Sequence, residues 1–152
     1  MVNDRPGDEQ ILSMEFPFES LDFMRAGEAS GELKQRLKKL GFKPELVRRA
    51  AIAAYEAEMN VIIHAQKGTM KVEITPTRLL IIVEDEGPGI SDIEQAMKEG
   101  FSTASEAIRE LGFGAGMGLS NIKRCADELD IQSTPGHGTK LQIIINNEQG
   151  GR

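Results

Sequence analysis

The chain has 152 residues, 28% charged and 39% hydrophobic, with one cysteine and no tryptophan, enough to bury roughly two-thirds of its unfolded surface in one core without a disulfide or metal staple. The lone Cys125 excludes an internal disulfide and reads as a small core residue, and the lack of a basic-then-apolar leader predicts a cytoplasmic setting. Eighteen Lys and Arg against 24 Asp and Glu leave a net charge of −6, which repels phosphate backbones and argues against a nucleic-acid partner. The longest aliphatic run, Leu79 to Val83, is far too short to span a membrane, His64, His137 and Cys125 form no ligand-spaced array, and no Walker-type phosphate loop occurs.

Residues 1–10 and 147–152 are polar and aperiodic and read as disordered tails, with a single continuous domain over 11–146. Ile11 to Pro17 alternates like a strand, and Glu19 to Leu40 has helical apolar spacing closed by Gly41 and weakened by Gly27 and Gly31. Pro44 opens a second helix, Glu45 to Ala65. Met70 to Thr75 and Arg78 to Glu84 form a hairpin through Pro76-Thr77 and run into Asp85-Glu86-Gly87-Pro88-Gly89. Ser91 or Asp92 caps a short helix to Glu99, a Gly-rich stretch covers 100–118, and a third long helix spans Leu119 to Leu129. Ile131 to Thr134 and Thr139 to Ile145 close the chain as a hairpin around Pro135 to Gly138. Five strands and three long helices in this order predict a two-layer α/β sandwich with helices on one face of the sheet.

On the second helix Glu56, Asn60 and His64 recur at i, i+4 and i+8, drifting by only about 80°, and so form one polar stripe on an otherwise apolar helix. A carboxylate there requires a metal ion, a ligand, a water-filled pocket or an arginine partner, and the helix alone leaves these open. Glu58 points away from the stripe and reads as a solvated or snorkelling side chain, and the two histidines read as packing or loop residues. Asp85-x-Gly87-x-Gly89 offers a carboxylate acceptor and close backbone approach, although Asp and Gly are also ordinary turn residues. Gly114, Gly116 and Gly118, at spacing two before Leu119 at a helix start, present free N–H groups and a positive dipole end to an anion. No Rossmann fingerprint is present.

Taken together, E-x-x-x-N on a helix, D-x-G-x-G after a strand, G-x-G-x-G-L into a helix and G-x-G-T into a strand resemble the histidine-kinase-like ATPase superfamily, the GHKL or Bergerat fold, over about residues 11–145. The resemblance implies a mixed, mainly antiparallel sheet and Mg-ATP as cofactor. Asn60 would hold Mg²⁺ and Asp85 the adenine amino group, with Gly87 and Gly89 shaping the adenine pocket. Gly114, Gly116, Gly118 and Leu119 would surround the phosphates, Thr139 would support Asp85 and adenine through its hydroxyl and a water, and 100–117 would form a mobile lid. Within the superfamily, Glu56 to Ala65, Glu84 to Ile90 and Gly100-Phe101-Ser102-Thr103 are similar to bacterial anti-sigma factors and switch-protein serine/threonine kinases. The length leaves no room for a dimerisation helix pair or a transducer domain, and the stretch Ala104 to Leu111, including Arg109, is longer and more helix-prone than that branch suggests.

The expected activity is a regulatory protein serine/threonine kinase acting in transcription control, with Glu56 as base and a small anti-sigma-antagonist-type protein as substrate. The alternative is a nucleotide-dependent anti-sigma or partner-binding module with little turnover, whose acidic surface suits a basic partner. A sigma factor and a homodimer are further partners that the resemblance allows.

Overall fold

The structure, a computed structural model, describes residues 12–65, 67–87, 89, 97 and 118–147. The N-terminal tail, residues 148–152, the lid, Gly114, Gly116, Arg109 and all of the helix expected from Ser91 or Asp92 to Glu99 except Met97 lie outside the described residues.

The strands are β1 (Leu12–Glu19), β2 (Lys67–Ile74), β3 (Arg78–Glu86), β4 (Glu128–Thr134) and β5 (Gly138–Asn146). The helices are α1 (Glu28–Lys39), α2 (Pro44–His64) and α3 (Gly118–Cys125). The sheet order is β1-β2-β3-β5-β4. Every pairing among the described strands is antiparallel, so the expected parallel component is absent there. Its physical reason is the position of β5, which returns between β3 and β4 and separates two strands that run in the same direction.

Register explains why one face is covered. Met14, Val72, Ile81, Ile143 and Leu129 lie on one cross-strand row and Phe16, Met70, Val83, Leu141 and Ile131 on the next. These side chains join one core with Leu33, Leu37, Ala50, Ala53, Ala57, Val61 and Ile122 from the helices. Period-two burial in strands and an apolar stripe in helices thus meet in two layers. Helix α2 lies centrally, touching α1, α3 and strands β1, β2, β3 and β5. Its alanines allow the close approach to the sheet.

The first helix begins nine residues later than the sequence spacing predicts. β1 continues to Glu19, a 3-10 turn occupies Phe23–Arg25, and Gly27, at φ 92°, breaks the chain before Glu28. Gly27 supplies no capping side chain, and the cap comes from α2: Glu58 accepts from Gly27 N at 3.0 Å and Ser30 N at 3.3 Å. Glu58, expected to be solvated, is therefore 1% exposed. The carboxylate satisfies N–H groups that the helix leaves open and faces its positive end.

The third helix stops at Cys125, not Leu129. Asp127 N already donates to Ile144 O at 2.8 Å, which starts sheet pairing, and Arg49 Nε of α2 donates to Cys125 O at 2.9 Å while pairing with Asp127 at 3.3 Å. Cys125 is free and buried, as expected. Asn147, expected in the disordered tail, is buried, donating from N to Thr77 O at 2.8 Å and from Nδ2 to Pro76 O at 2.9 Å. It ties the end of β5 to the β2–β3 turn.

Candidate functional site

The inward row of β3 runs Leu79, Ile81, Val83 and then Asp85, so a carboxylate takes the last position of an otherwise apolar face. Asp85 pairs in register with Gly68 of β2 and Thr139 of β5. Its Oδ1 accepts from Thr139 N at 3.1 Å. Burial raises the Asp85 carboxyl above its ordinary range, partly offset by that hydrogen bond. The Thr139 hydroxyl is 2.9 Å from Ser133 Oγ. The backbone of Thr139 therefore bonds directly to Asp85, in addition to the contact through its hydroxyl and a water that the resemblance implies.

Three glycines make room for this end of the sheet. A Cβ on Gly68 would stand 2.7 Å from Glu84 O and 2.8 Å from Val61 Cγ1, and one on Gly87 would stand 3.0 Å from Ala65 Cα and 3.4 Å from Asp85 Oδ1. Gly138 would bring a Cβ to 2.0 Å from Asp85 O. The end of β3 thus lies against the last turn of α2, beside Val61 and Ala65. Gly89 packs on the end of β4, where a Cβ would meet Thr134 O at 2.5 Å. Gly68 was not singled out by sequence reasoning, although a glycine inside a strand is the usual sign of a close approach.

The second cluster forms where α2 meets the start of α3. A Cβ on Gly118 would stand 3.1 Å from Asn60 Oδ1 and 3.3 Å from Glu56 Oε2. Three expected site residues, two from one face of α2 and one far along the chain, thus meet at the N-terminus of α3. Asn121, one turn into α3, donates from Nδ2 to Glu56 Oε1 at 3.5 Å. Nothing in the sequence flagged Asn121, whose i+3 spacing from Gly118 is its one available signal. Burial pushes the Glu56 carboxyl above the usual 4.5, and the Asn121 bond opposes this. Leu119 is buried in the core, so its first-turn N–H is what it can offer a ligand. Burial lowers the His64 pKa below 6.5 and keeps the ring neutral near pH 7, while His137 is an exposed turn residue.

A family model described as Histidine kinase-, DNA gyrase B-, and HSP90-like ATPase matches residues 46–149. The chain belongs to this family. The matched region contains both clusters of this ATPase domain. Among its curated relatives, the chain is 39% identical to the serine/threonine-protein kinase RsbT of Bacillus subtilis (strain 168), over 70% of this chain and 77% of that protein. It is 41% identical to the anti-sigma F factor of Thermoanaerobacter sp. (strain X514), over 60% of this chain and 64% of that protein. The fold is also similar to a chain in the crystal structure of the SiaB-SiaC complex from Pseudomonas aeruginosa, with TM-score 0.59 and 14% identity over 90% of this chain and 89% of that one.

The oxygen atoms near Gly118 fit a magnesium ion in kind. Asn60 Oδ1 is a hard donor, and no group of three or more His, Cys, Asp or Glu suited to a metal occurs among the described residues. A site with so few protein ligands suits an ion that keeps waters and shares phosphate oxygens. No described helix is long and apolar enough to cross a membrane.

Proposed function

We propose that this ATPase-family protein is a regulatory serine/threonine kinase that transfers the γ-phosphate of ATP to a hydroxyl of a small antagonist protein. The observation that carries the reading is the convergence of Glu56 and Asn60 on Gly118, at the N-terminus of α3. In this reading Asp85 accepts from the adenine amino group, with Gly87 and Gly89 bounding the base. Gly114, Gly116, Gly118 and the first N–H groups of α3 bind phosphates. Asn60 holds Mg²⁺, which when bound neutralises phosphate charge. Glu56 takes the proton of the incoming Ser or Thr hydroxyl as the new O–P bond forms and the bond to the ADP oxygen breaks. A carboxyl raised by burial, and one helical turn from Asn60, suits that role.

Identity to a curated serine/threonine-protein kinase supports the reading. Identity to anti-sigma F factors favours a second one, in which the nucleotide state sets which partner the protein holds, with little or no turnover. A sigma factor, a second copy of the chain and a cytoplasmic location belong to these proposals.

The test is calorimetric titration of ATP and ADP, with and without Mg²⁺, into the wild type, Asp85→Ala and Asn60→Ala. The expected result is loss of binding in Asp85→Ala and loss of the Mg²⁺ dependence in Asn60→Ala. Labelled-phosphate transfer to an antagonist-type protein should vanish in Glu56→Ala while ATP affinity stays near the wild-type value. Absence of nucleotide binding overturns both readings, and ATP binding with no transfer leaves the second.

A further inference from the structure

The negative chain carries a concentrated positive region. Residues 34–49 contain seven of the 18 Lys and Arg and only Glu45 of the 24 acids. They form the C-terminal half of α1, the connection, and the first turns of α2. A groove of about 440 Å³ opens between the two helices, with Lys34, Lys38 and Arg48 on its rim and Phe42, Val47 and Ile52 among its apolar lining. The three cations are exposed, and none forms a hydrogen bond or ion pair with another described residue.

Local helix electrostatics explain only part of this arrangement. Lys38 lies in the last turn of α1, where a cation favours the dipole. Lys34 lies a turn earlier, and Arg48 sits near the positive end of α2, where the helix itself offers a cation nothing. Its neighbour Arg49 has an evident use, bonding Cys125 O and Asp127. Arg48 makes no hydrogen bond or ion pair with a described residue, and its charge acts on the buried Cys125 thiol only through space.

We infer that this groove docks an acidic, amphipathic segment of a partner protein, with carboxylates meeting Lys34, Lys38 and Arg48 and apolar side chains entering between α1 and α2. Charge complementarity names the sign of the partner, because the chain is acidic as a whole while residues 34–49 carry seven cations against one acid. The apolar lining favours a peptide over a phosphate backbone, which has no side chains to bury there. Arg48 is about 12 Å along α2 from Glu56, so the groove is separate from the proposed nucleotide site and its occupancy does not depend on the kinase reading. The basic partner expected from net charge concerns the acidic surface, and this face is proposed for a partner of the opposite sign.

The test uses the full chain and a synthetic helical peptide of about four turns, with Glu on one face and Leu and Phe on the other. Fluorescence anisotropy measures its binding to the wild type, to K34E/K38E/R48E and to the milder K34Q/K38Q/R48Q, with thermal melts showing that each variant is folded. The expected result is binding that weakens by about tenfold or more in the reversal variant and by less in the neutral one, while ATP titration is unchanged. Equal binding of a peptide whose Leu and Phe are replaced by Ser overturns the proposal, as does no binding at all. Tighter, K34E/K38E/R48E-sensitive binding of a DNA duplex would assign the face to nucleic acid. Loss of a dimer in sedimentation of that variant would assign it to a second copy of this chain.

Discussion

Glu58 Oε2 accepts a hydrogen bond from Gly27 N at 3.0 Å across 31 residues of chain, so the start of α1 is capped by a side chain of α2. Removing the carboxylate leaves the half-buried N–H of Gly27 and the buried N–H of Ser30 without their acceptor. Glu58→Ala should cost about 2 to 4 kcal/mol in urea unfolding. Glu58→Gln should cost less, since it keeps one acceptor and removes a buried charge. Burial holds the Glu58 carboxyl above 4.5 despite these bonds. The folded state therefore binds the proton more tightly than the unfolded chain, and the Glu58 contribution is fully present below the unfolded pKa and declines as pH rises through the folded one. Denaturation at stepped pH should show this decline in the wild type and not in Glu58→Gln.

The bond from Asn121 to Glu56 makes a prediction about pH. A base must be ionised, so single-turnover phosphate transfer should rise with pH through a midpoint above 4.5, the direction in which burial moves Glu56. Asn121 stabilises the ionised form, and its loss raises the pKa further. Asn121→Ala should move the rising limb to higher pH with little change in ATP affinity. A limb that stays put in this variant would remove Glu56 from the proton transfer.

Gly136, in the β4–β5 turn, and Gly138, at the start of β5, are two residues apart and should respond differently to alanine. Gly136 has φ +83° and open space around it, whereas Gly138 has φ +148° and would direct a methyl to 2.0 Å from Asp85 O. Gly136→Ala should cost about 1 kcal/mol, from backbone strain alone. Gly138→Ala should cost about 3 kcal/mol or more and weaken ATP binding as well, because the chain at Asp85 must move. Paired thermal melts and calorimetry distinguish the two.

Asp85 receives its bond from Thr139 N, not from the hydroxyl, which lies against Ser133 Oγ at 2.9 Å. Thr139→Val keeps the backbone donor. It should lower stability by about 1 kcal/mol and reduce ATP affinity far less than Asp85→Ala does. Equal losses in the two variants, measured by titration, would show that the hydroxyl carries the recognition.

Local patterns determined much of this protein. Period-two runs gave the strands, Pro44 gave the start of α2, and the spacing of Glu56, Asn60 and His64 put them on one helical face, because these depend on residues within a few positions of each other. The ordered glycine and carboxylate motifs pointed to the ATPase family for the same reason. Contacts between distant segments were not written in any local pattern. The start of α1 depends on Glu58, its end partner in α2; the end of α3 depends on pairing with Ile144 and on Arg49; and Asn121 reaches Glu56 only once α2 and α3 are packed. A buried polar group must find a partner wherever the fold brings one. The sequence by itself therefore determined the local elements and the cationic run 34–49, while only the tertiary structure decided that Glu58 caps a helix, that Gly118 faces Glu56 and Asn60, and that Lys34, Lys38 and Arg48 line one groove between α1 and α2.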